Sequence, residues 1–542
     1  MPTRAAWLKG LSPKENREVP PLKRDYAYAL KKDFPEAVIC VNGAVKTLET
    51  AEEIIAAGCD GVMVGREAYQ NPWILTDVDA RLFGDETVRA VTRSEIIDRM
   101  TAYLKAEVPD IKGRRIVLLS RNCYEFCVAS FGIILAGGVL VTLNQKKTWD
   151  ELEYELGLVE PSLIVNDGID YGCRPDIEAA YGDKLRPMDA FRDSAPAELV
   201  DCVGHDDLMV LMFTSGTTGR SKAVMLSERN FFTTVECQVK FGDAMLDYKH
   251  EHMPEDKNDV LSNFAILPLF HLGTFICLFV WACKGWALNL SADIRDFYRD
   301  LGLMHSDAIA VAPMLMEAIY KDVKRGRRAR LNGIWNPCGS SAMFDGAMLA
   351  ELAQQGMMIT QVYGMTETCG DGIINYEQDE KHIRAVGKPD DHAEYKLDET
   401  GEICIRGGCV MLGYYKDPEA TAEVLDADGW FHTGDLARVD EDGFYYITGR
   451  KKNIIILDNG ENVSPEELEN LLSKCEAVKE CIVREKGKKI CAVIYCGEAD
   501  QQTVRDFITE TNRTLPLYKR MSAVEFSTEP LPRTGTGKLM RK

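Results

Sequence analysis

Two short apolar runs enclose a loop of small and hydroxylated residues, and this pattern constrains the fold more than any other. Residues 208–213 are apolar, residues 214–222 read Thr-Ser-Gly-Thr-Thr-Gly-Arg-Ser-Lys, and residues 223–226 are apolar again. The first run predicts a strand that ends in the loop. In such a loop, glycines let backbone N–H groups approach an anion, hydroxyls donate to its oxygens and the lysine adds charge. The sequence therefore predicts a polyphosphate-binding loop.

The loop does not match the P-loop of nucleotide hydrolases. That pattern needs a lysine directly after its second glycine, whereas Gly219 is followed by Arg220. Near the C-terminus Lys538 does follow a glycine, but Leu539 comes next and Pro532 stands where the first glycine should be. The sequence therefore argues against a P-loop enzyme.

Length and charge limit the classes of protein. At 542 residues the chain is too long for one core, so about three domains are expected. A net charge of −21 argues against a general binder of DNA, RNA or anionic membranes. No signal peptide is evident, and the longest apolar runs are too short or too polar to span a bilayer. Because 17 cysteines occur without a secretion signal, we expect a reducing, cytoplasmic location.

Four further clusters follow the loop. Residues 363–368 read Tyr-Gly-Met-Thr-Glu-Thr, and residues 429–435 read Gly-Trp-Phe-His-Thr-Gly-Asp. Residues 449–453 read Gly-Arg-Lys-Lys-Asn, and residues 531–538 read Leu-Pro-Arg-Thr-Gly-Thr-Gly-Lys. Each alone has an ordinary explanation, such as a helix cap or a surface ion pair. Five such clusters in one order are not expected by chance.

In this order the clusters closely resemble those of the AMP-forming acyl-CoA synthetases, the adenylate-forming ligases. The resemblance covers residues ~112–542 and implies an α/β large domain over 109–451, followed by a small, hinged α+β domain over 452–542. Such enzymes use ATP to turn a carboxylic acid into an acyl-adenylate, and a thiol, usually that of coenzyme A, then displaces AMP. Family members carry some tens of residues before residue ~112, so we expect the large domain to be incomplete at its N-terminus.

The resemblance implies how the phosphates of ATP are held. Glu367 would bind Mg²⁺, a hard cation that prefers oxygen ligands, and Thr366 would touch the α-phosphate. The residues implied to hold the β- and γ-phosphates are Thr214, Ser215, Gly216, Thr217, Thr218, Gly219 and Lys222.

The nucleoside has implied partners of its own. Tyr363 would lie against the adenine, Asp435 would accept hydrogen bonds from the ribose hydroxyls, and Arg450 would support them. The residues implied to line the adenine site with small side chains or backbone are Gly339, Ser340, Ser341 and Gly364.

Three more residues have implied roles in the two half-reactions. Lys538 would stabilise charge that develops on the acid and the α-phosphate, and Lys452 lies where the family has its hinge. His271 matches a position beside the acyl pocket. Residues 264–290 around it are mostly apolar and contain no acidic residue to pair with an ammonium group. We therefore expect a medium- or long-chain fatty acid rather than an amino acid.

Residues 1–108 have a different pattern. Strand-like residues 37–41 and 61–65 flank a helical pattern over 47–57, with Thr47 or Thr50 as its cap. Together with residues 7–17, these segments closely resemble tRNA-dihydrouridine synthase, a flavin enzyme built on a TIM barrel. The residues that the resemblance implies for the FMN phosphate are Asn42, Gly43, Gly65 and Arg66.

A TIM barrel takes about 200–250 residues, so this stretch is expected to form only part of one. The resemblance leaves FMN open as a cofactor, although an incomplete barrel argues against FMN and against tRNA as a partner. Three hypotheses follow: an acyl-CoA ligase carrying a barrel remnant, an FMN-dependent RNA-modifying oxidoreductase, or an inactive fusion of two truncated genes. Within the ligases, carrier-protein phosphopantetheine remains an alternative to coenzyme A.

Overall fold

The structure is a computed structural model. It describes residues 24–42, 45–64, 72–75, 77–85, 91–196, 203–214, 220–340, 344–370, 372–456, 462–487, 489–533 and 539–541. Within these residues the strands form six sheets. Every helix of the described part is too short or too polar to cross a bilayer.

The first described segment is a small βαβ unit. Its elements are α1 (Asp25–Asp33), β1 (Cys40–Asn42), α2 (Leu48–Ala56), β2 (Gly61–Met63) and α3 (Val78–Phe83). Strands β1 and β2 pair in parallel, with Cys40 opposite Gly61. The Thr47 hydroxyl accepts a hydrogen bond from the Thr50 amide at 3.2 Å, which confirms Thr47 as the cap of α2. The unit buries Val41 and Ile54 in a core of its own.

Helix α4 (Arg93–Glu107) belongs by its packing to the large domain. Thr92 and Glu95 close a capping box at its start. Met100 and Leu104 are buried in the same core as the helix that follows, and a Cβ at Gly132 would collide with Met100. The predicted boundary at 108/109 placed this helix with the first segment. That boundary stays a prediction, whereas the packing of α4 is a feature of the structure.

A seven-stranded sheet forms the first half of the large domain. Its order is β17-β8-β7-β4-β3-β5-β6, with β3 to β7 parallel and β8 antiparallel to β7. The strands are β3 (Arg115–Leu119), β4 (Val139–Thr142), β5 (Leu163–Asn166), β6 (Leu185–Pro187), β7 (Leu208–Thr214), β8 (Lys222–Ser227) and β17 (Gly413–Tyr414). The helices between them are α5 (Tyr124–Leu135), α6 (Trp149–Val159) and α7 (Arg174–Tyr181). Strands β7 and β8 lie where the apolar runs predicted a strand on each side of the loop.

A six-stranded sheet forms the second half. Its order is β10-β9-β11-β12-β13-β14, and only β14 is antiparallel to its neighbour. The strands are β9 (Ser262–Ala265), β10 (Ala287–Leu290), β11 (Ala308–Val311), β12 (Asn336–Ser340), β13 (Thr360–Gly364) and β14 (Gly372–Asn375). The helices are α8 (Glu228–His252), α9 (Leu272–Lys284), α10 (Phe297–Leu303), α11 (Pro313–Lys324) and α12 (Gly346–Gln354).

An antiparallel sheet of four strands follows, in the order β15-β16-β18-β19. The elements are β15 (Ala393–Leu397), β16 (Glu402–Gly407), α13 (Pro418–Val424), β18 (Phe431–Val439) and β19 (Tyr445–Arg450). This sheet carries two of the clusters that the sequence singled out, because Asp435 lies on β18 and Arg450 ends β19.

The C-terminal part is α+β and has its own core. Its elements are β20 (Ile455–Ile456), β21 (Asn462–Val463), α14 (Pro465–Leu472), β22 (Glu480–Lys486), β23 (Lys489–Tyr495), α15 (Gln501–Thr514) and β24 (Ala523–Ser527). Helix α14 begins at Pro465, after a Ser464 cap. Leu468, Val483 and Val504 are fully buried in this core. A large α/β domain followed by a smaller α+β domain confirms the predicted fold class.

Candidate functional site

The carboxyl ends of β12 and β13 form one edge of the site. The two strands are parallel neighbours, with Gly339 opposite Gln361, so Ser340 and Gly364 end at the same side of the sheet. Ligands of open α/β sheets bind at such an edge. A Cβ at Gly339 would collide with the ring of Phe344, so a larger residue there would require that ring to move. The predicted adenine-site backbone of Gly339, Ser340 and Gly364 is therefore assembled in one place.

Asp435 is a buried carboxylate at this edge. Its side chain is 7% exposed. The Tyr363 hydroxyl donates to Oδ2 at 3.1 Å, and Arg450 Nε lies 2.7 Å from Oδ1. Strands β18 and β19 set the Arg450 contact, because Asp435 and Arg450 are directly opposed in their register. Three residues that the sequence assigned to the nucleoside thus form one hydrogen-bonded group.

The phenol of Tyr363 is held in its protonated form. Burial, and then the neighbouring charge of Asp435, raise the pKa of Tyr363 well above its usual range. The hydroxyl therefore remains a donor to Asp435 at neutral pH, and this bond fixes the ring at the end of β13.

Glu367 is oriented by a tyrosine that the sequence did not single out. The Tyr414 hydroxyl, on β17, donates to Glu367 Oε1 at 2.9 Å. Burial, and then the charge of Glu367, raise the pKa of Tyr414, so its hydroxyl also stays protonated. Lys222 Nζ lies 4.6 Å from the centroid of the Tyr414 ring, a cation–π contact. One tyrosine thus joins the predicted metal ligand to the predicted phosphate lysine.

The polyphosphate loop is closed at its base by a strand pair. Thr214 ends β7 and Lys222 begins β8, and the two residues are opposed in the antiparallel register. Both predicted residues are partly buried at the mouth of the loop. Their positions agree with a loop that presents its backbone to an anion.

Glu402 contacts the segment that leads into the C-terminal part, and it is another residue that the sequence did not single out. Glu402 is 3% exposed and accepts a hydrogen bond from the Gly434 amide at 2.7 Å. Lys451 Nζ lies 2.7 Å from the other oxygen of Glu402. The next residue, Lys452, is exposed at the predicted hinge. A glutamate in an unremarkable strand carries no sequence signal, which is why it was missed.

His271 immediately precedes α9, and its ring is exposed. Its carbonyl accepts hydrogen bonds from the Thr274 and Phe275 amides at 3.1 and 2.9 Å. A methyl group at Gly370 would come within 3.4 Å of Leu272, so the start of α9 adjoins the turn that contains Thr366 and Glu367. Leu272, the residue after His271, therefore lies close to this turn, and the role of His271 beside the acyl site stays a prediction.

Several predicted residues lie outside the described residues, and their roles stay predictions. They are Ser215, Gly216, Thr217, Thr218, Gly219, Ser341, Lys538, Gly43, Gly65 and Arg66. Of the four residues predicted for FMN, Asn42 is described; it ends β1 and is exposed.

Replacement of Tyr414 by phenylalanine removes the donor to Glu367 and keeps the ring beneath Lys222. Hydrogen bonds that orient a metal-binding carboxylate are commonly worth about tenfold or more in metal affinity or activity. We expect Tyr414→Phe to raise the Mg²⁺ concentration needed for half-maximal ATP–pyrophosphate exchange about tenfold. Tyr415→Phe removes the neighbouring hydroxyl and serves as the control. Equal Mg²⁺ requirements in the two variants would contradict the role of Tyr414.

Comparison with known proteins agrees with this geometry. The family profile described as AMP-binding enzyme matches residues 94–415, which is more than half of the chain. The chain belongs to the AMP-binding enzyme family. A second profile, the AMP-binding enzyme C-terminal domain, matches residues 467–538. The first match begins at the start of α4, the helix whose side chains pack in the large domain.

Relatives of this AMP-binding enzyme are CoA ligases and synthetases. A feruloyl-CoA synthase from Amycolatopsis sp is 30% identical over 454 residues, covering 79% of this chain and 88% of the relative. A long-chain-fatty-acid–CoA ligase from Salmonella typhimurium is 28% identical over 499 residues, covering 81% and 86%. The fold matches o-succinylbenzoate CoA synthetase from Bacillus subtilis, solved with its acyl-adenylate, with a TM-score of 0.68 at 24% identity and coverage of 82% and 90%. The AMP-binding enzyme is thus an adenylate-forming CoA ligase by family.

A third profile, dihydrouridine synthase, matches residues 4–125. It overlaps the AMP-binding match over residues 94–125, which include α4. The resemblance of the N-terminal residues to dihydrouridine synthase is therefore confirmed. The boundary between the two family segments, at 108/109, stays a prediction.

Proposed function

We propose that this enzyme joins a medium- or long-chain fatty acid to coenzyme A in two steps. In the first, an oxygen of the acid attacks the α-phosphorus of ATP and pyrophosphate leaves. In the second, the thiol sulfur attacks the acyl carbon and AMP leaves, giving a thioester. The observation that carries the proposal is the buried Asp435 carboxylate, held by Tyr363 and Arg450 at the strand ends.

The donor set suits the nucleoside of ATP. A carboxylate has two oxygens that accept strong, charge-assisted hydrogen bonds, which matches a pair of ribose hydroxyls. Asp435 is held by Tyr363 at Oδ2 and by Arg450 at Oδ1, so its position needs no reorganisation when a nucleoside binds.

Phosphates and Mg²⁺ have fitting partners in the same region. Glu367 supplies the carboxylate oxygens that a hard cation prefers, and it is half-buried and pre-oriented by Tyr414. Lys222 supplies positive charge at the base of the loop, opposite the hydroxyl residue Thr214. Bound Mg²⁺ would neutralise phosphate charge, and phosphoryl transfer depends mainly on such positioning and neutralisation.

The choice of acid rests on helix α9. Leu272, Phe275 and Ile276 of this helix are buried, and its start adjoins the turn of Thr366 and Glu367. Over residues 264–290 no acidic residue is present, so a substrate ammonium would have no partner there. The named relatives act on acids as different as ferulate and long-chain fatty acids. The preference for a fatty acid is therefore inferred from this stretch and not from the relatives.

A panel of acids tests the proposal. With the full chain, we expect kcat/KM for octanoate through palmitate to exceed that for ferulate, benzoate or phenylalanine by at least about tenfold, since two buried methylenes contribute roughly 1.6 kcal/mol. The measurement is acid-dependent ATP–pyrophosphate exchange, followed by thioester formation with coenzyme A or with a phosphopantetheinylated carrier protein. Highest activity on an aryl or amino acid would overturn the choice of substrate. Absence of exchange with every acid would favour an inactive fusion.

The match of residues 4–125 to dihydrouridine synthase supports a second candidate, an FMN-dependent oxidoreductase. The described part of this segment contains one parallel pair of strands, β1 and β2. Flavin absorbance in the purified protein tests the candidate directly. A colourless protein with acid-dependent exchange would reject it.

A further inference from the structure

The base of the polyphosphate loop contacts helix α6 through a buried carboxylate. Glu155 is fully buried, and the Ser221 hydroxyl donates to its Oε1 at 2.6 Å. Lys147 Nζ forms an ion pair with the same oxygen. Glu155 Oε2 is also buried and has no hydrogen-bond partner among the described residues. Two segments distant in sequence, residues 147–155 and the end of the loop at Ser221, therefore meet at one charged group.

A second contact joins the same two elements. The Arg220 guanidinium lies 5.0 Å from the centroid of the Tyr154 ring. Two consecutive loop residues, Arg220 and Ser221, thus contact two consecutive residues of α6. The next loop residue is Lys222, which pairs with Thr214 and lies over Tyr414.

Glu155 is costly for the fold, since a buried carboxylate loses its hydration and one of its oxygens has no partner in the part of the chain that the structure describes. The neighbouring core of α6 is apolar, with Leu152 and Leu156 fully buried. An aliphatic side chain would satisfy that core as well. The carboxylate is therefore better explained by what it holds than by the stability of α6.

We propose that Glu155 is a positioning residue, which holds Ser221 and thereby places the Lys222 end of the loop for the polyphosphate of ATP. This inference rests on the proposed function, because it concerns the same nucleotide site. Lys147 balances the charge of Glu155, so the carboxylate anchors the loop without adding net negative charge beside the phosphates. Ordering a loop residue before the ligand arrives lowers the entropy cost of binding.

The test compares nucleotide binding and turnover in single and double variants of the full chain. Ser221→Ala removes one donor, and we expect its KM for ATP to rise about five- to tenfold with kcat within about twofold. This rise is smaller than for the loss of a direct hydrogen bond to a charged group, because Ser221 acts on ATP through Lys222. Ser221→Thr keeps the hydroxyl and should restore the KM. Because Ser221 and Glu155 act through each other, Ser221→Ala combined with Glu155→Gln should cost less than the sum of the single effects.

A second readout does not depend on turnover. ATP should raise the melting temperature of Ser221→Ala less than that of the wild type at the same ATP concentration. Glu153→Gln, which removes an exposed carboxylate from the same helix, should match the wild type.

The outcomes separate the two proposals. A wild type that shows neither exchange nor stabilisation by ATP would overturn the proposed function and this inference with it. An active wild type with an unchanged KM and an unchanged ATP-induced shift in Ser221→Ala would overturn the positioning role alone. A lower melting temperature without ATP, but a normal ATP-induced shift, would show that Glu155 serves only stability and would also overturn it.

Discussion

Lys538→Ala is expected to lower acid-dependent ATP–pyrophosphate exchange by about 10²–10³-fold, the usual loss when a charge-stabilising donor is removed. The same variant should convert a supplied acyl-adenylate and coenzyme A to thioester within about twofold of the wild-type rate. The reason is that the hinged small domain is expected to present Lys538 to the reacting atoms in the first step and other residues in the second. The two half-reactions are measured separately, by pyrophosphate exchange and by release of AMP.

The described residues that flank the segment of Lys538 pair with the C-terminal core. Arg533 pairs with Glu480 at 2.8 Å, and Arg541 pairs with Glu466 at 2.8 Å. Arg533 and Leu539 form an antiparallel bridge between these anchors. Residues 534–538 lie outside the described residues, but their two ends are fixed to the C-terminal core.

Lys519→Ala is a matched control for this experiment. Lys519 belongs to the same C-terminal part and pairs with Glu467 at 2.7 Å. Lys519→Ala should leave the rates of both half-reactions unchanged. A lower rate in this variant would indicate that the C-terminal domain is damaged as a whole. Equal losses of adenylation and thioester formation in Lys538→Ala would contradict the assigned role.

Asp435→Asn is the second change with a large expected effect. Asparagine keeps the shape beside Tyr363 and Arg450 but removes the charge that would accept from the ribose. A hydrogen bond to a charged acceptor contributes about 1.5–3 kcal/mol, and 1.4 kcal/mol corresponds to tenfold. We therefore expect the KM for ATP to rise roughly 10- to 100-fold, measured by pyrophosphate exchange at saturating acid.

Asp440→Asn provides the comparison. Asp440 also accepts a hydrogen bond from a tyrosine hydroxyl, that of Tyr446 at 3.0 Å, beside the same sheet. Asp440→Asn should leave the KM for ATP unchanged. Any general loss of stability in that sheet should appear in both variants. A normal KM in Asp435→Asn would mean that the ribose is bound elsewhere.

Local elements were largely predictable from the sequence. The apolar runs around the polyphosphate loop became β7 and β8, and Thr47 caps the helix that it precedes. Apolar periodicity and capping depend on neighbours along the chain, so a sequence displays them directly. The domain to which helix α4 belongs was harder to assign. Which of two cores buries its apolar side chains is decided only when the chain has folded.

The composition of the site was predictable only in part. Asp435, Arg450, Tyr363 and Glu367 stood in recognisable clusters, and the described structure brings the first three into hydrogen-bond contact. Tyr414 was missed because a tyrosine in a short strand carries no signal of the glutamate that it contacts.

The sequence by itself determined the order of the clusters, the family and the elements that carry them. Only the tertiary structure decided which side chains form hydrogen bonds with one another. Tyr363 reaches Asp435 across 72 residues, Tyr414 reaches Glu367 across 47, and Ser221 reaches Glu155 across 66. The physical reason is that helices and strands form through short-range periodicity, whereas such contacts arise only when separate sheets and helices pack and bury these groups together.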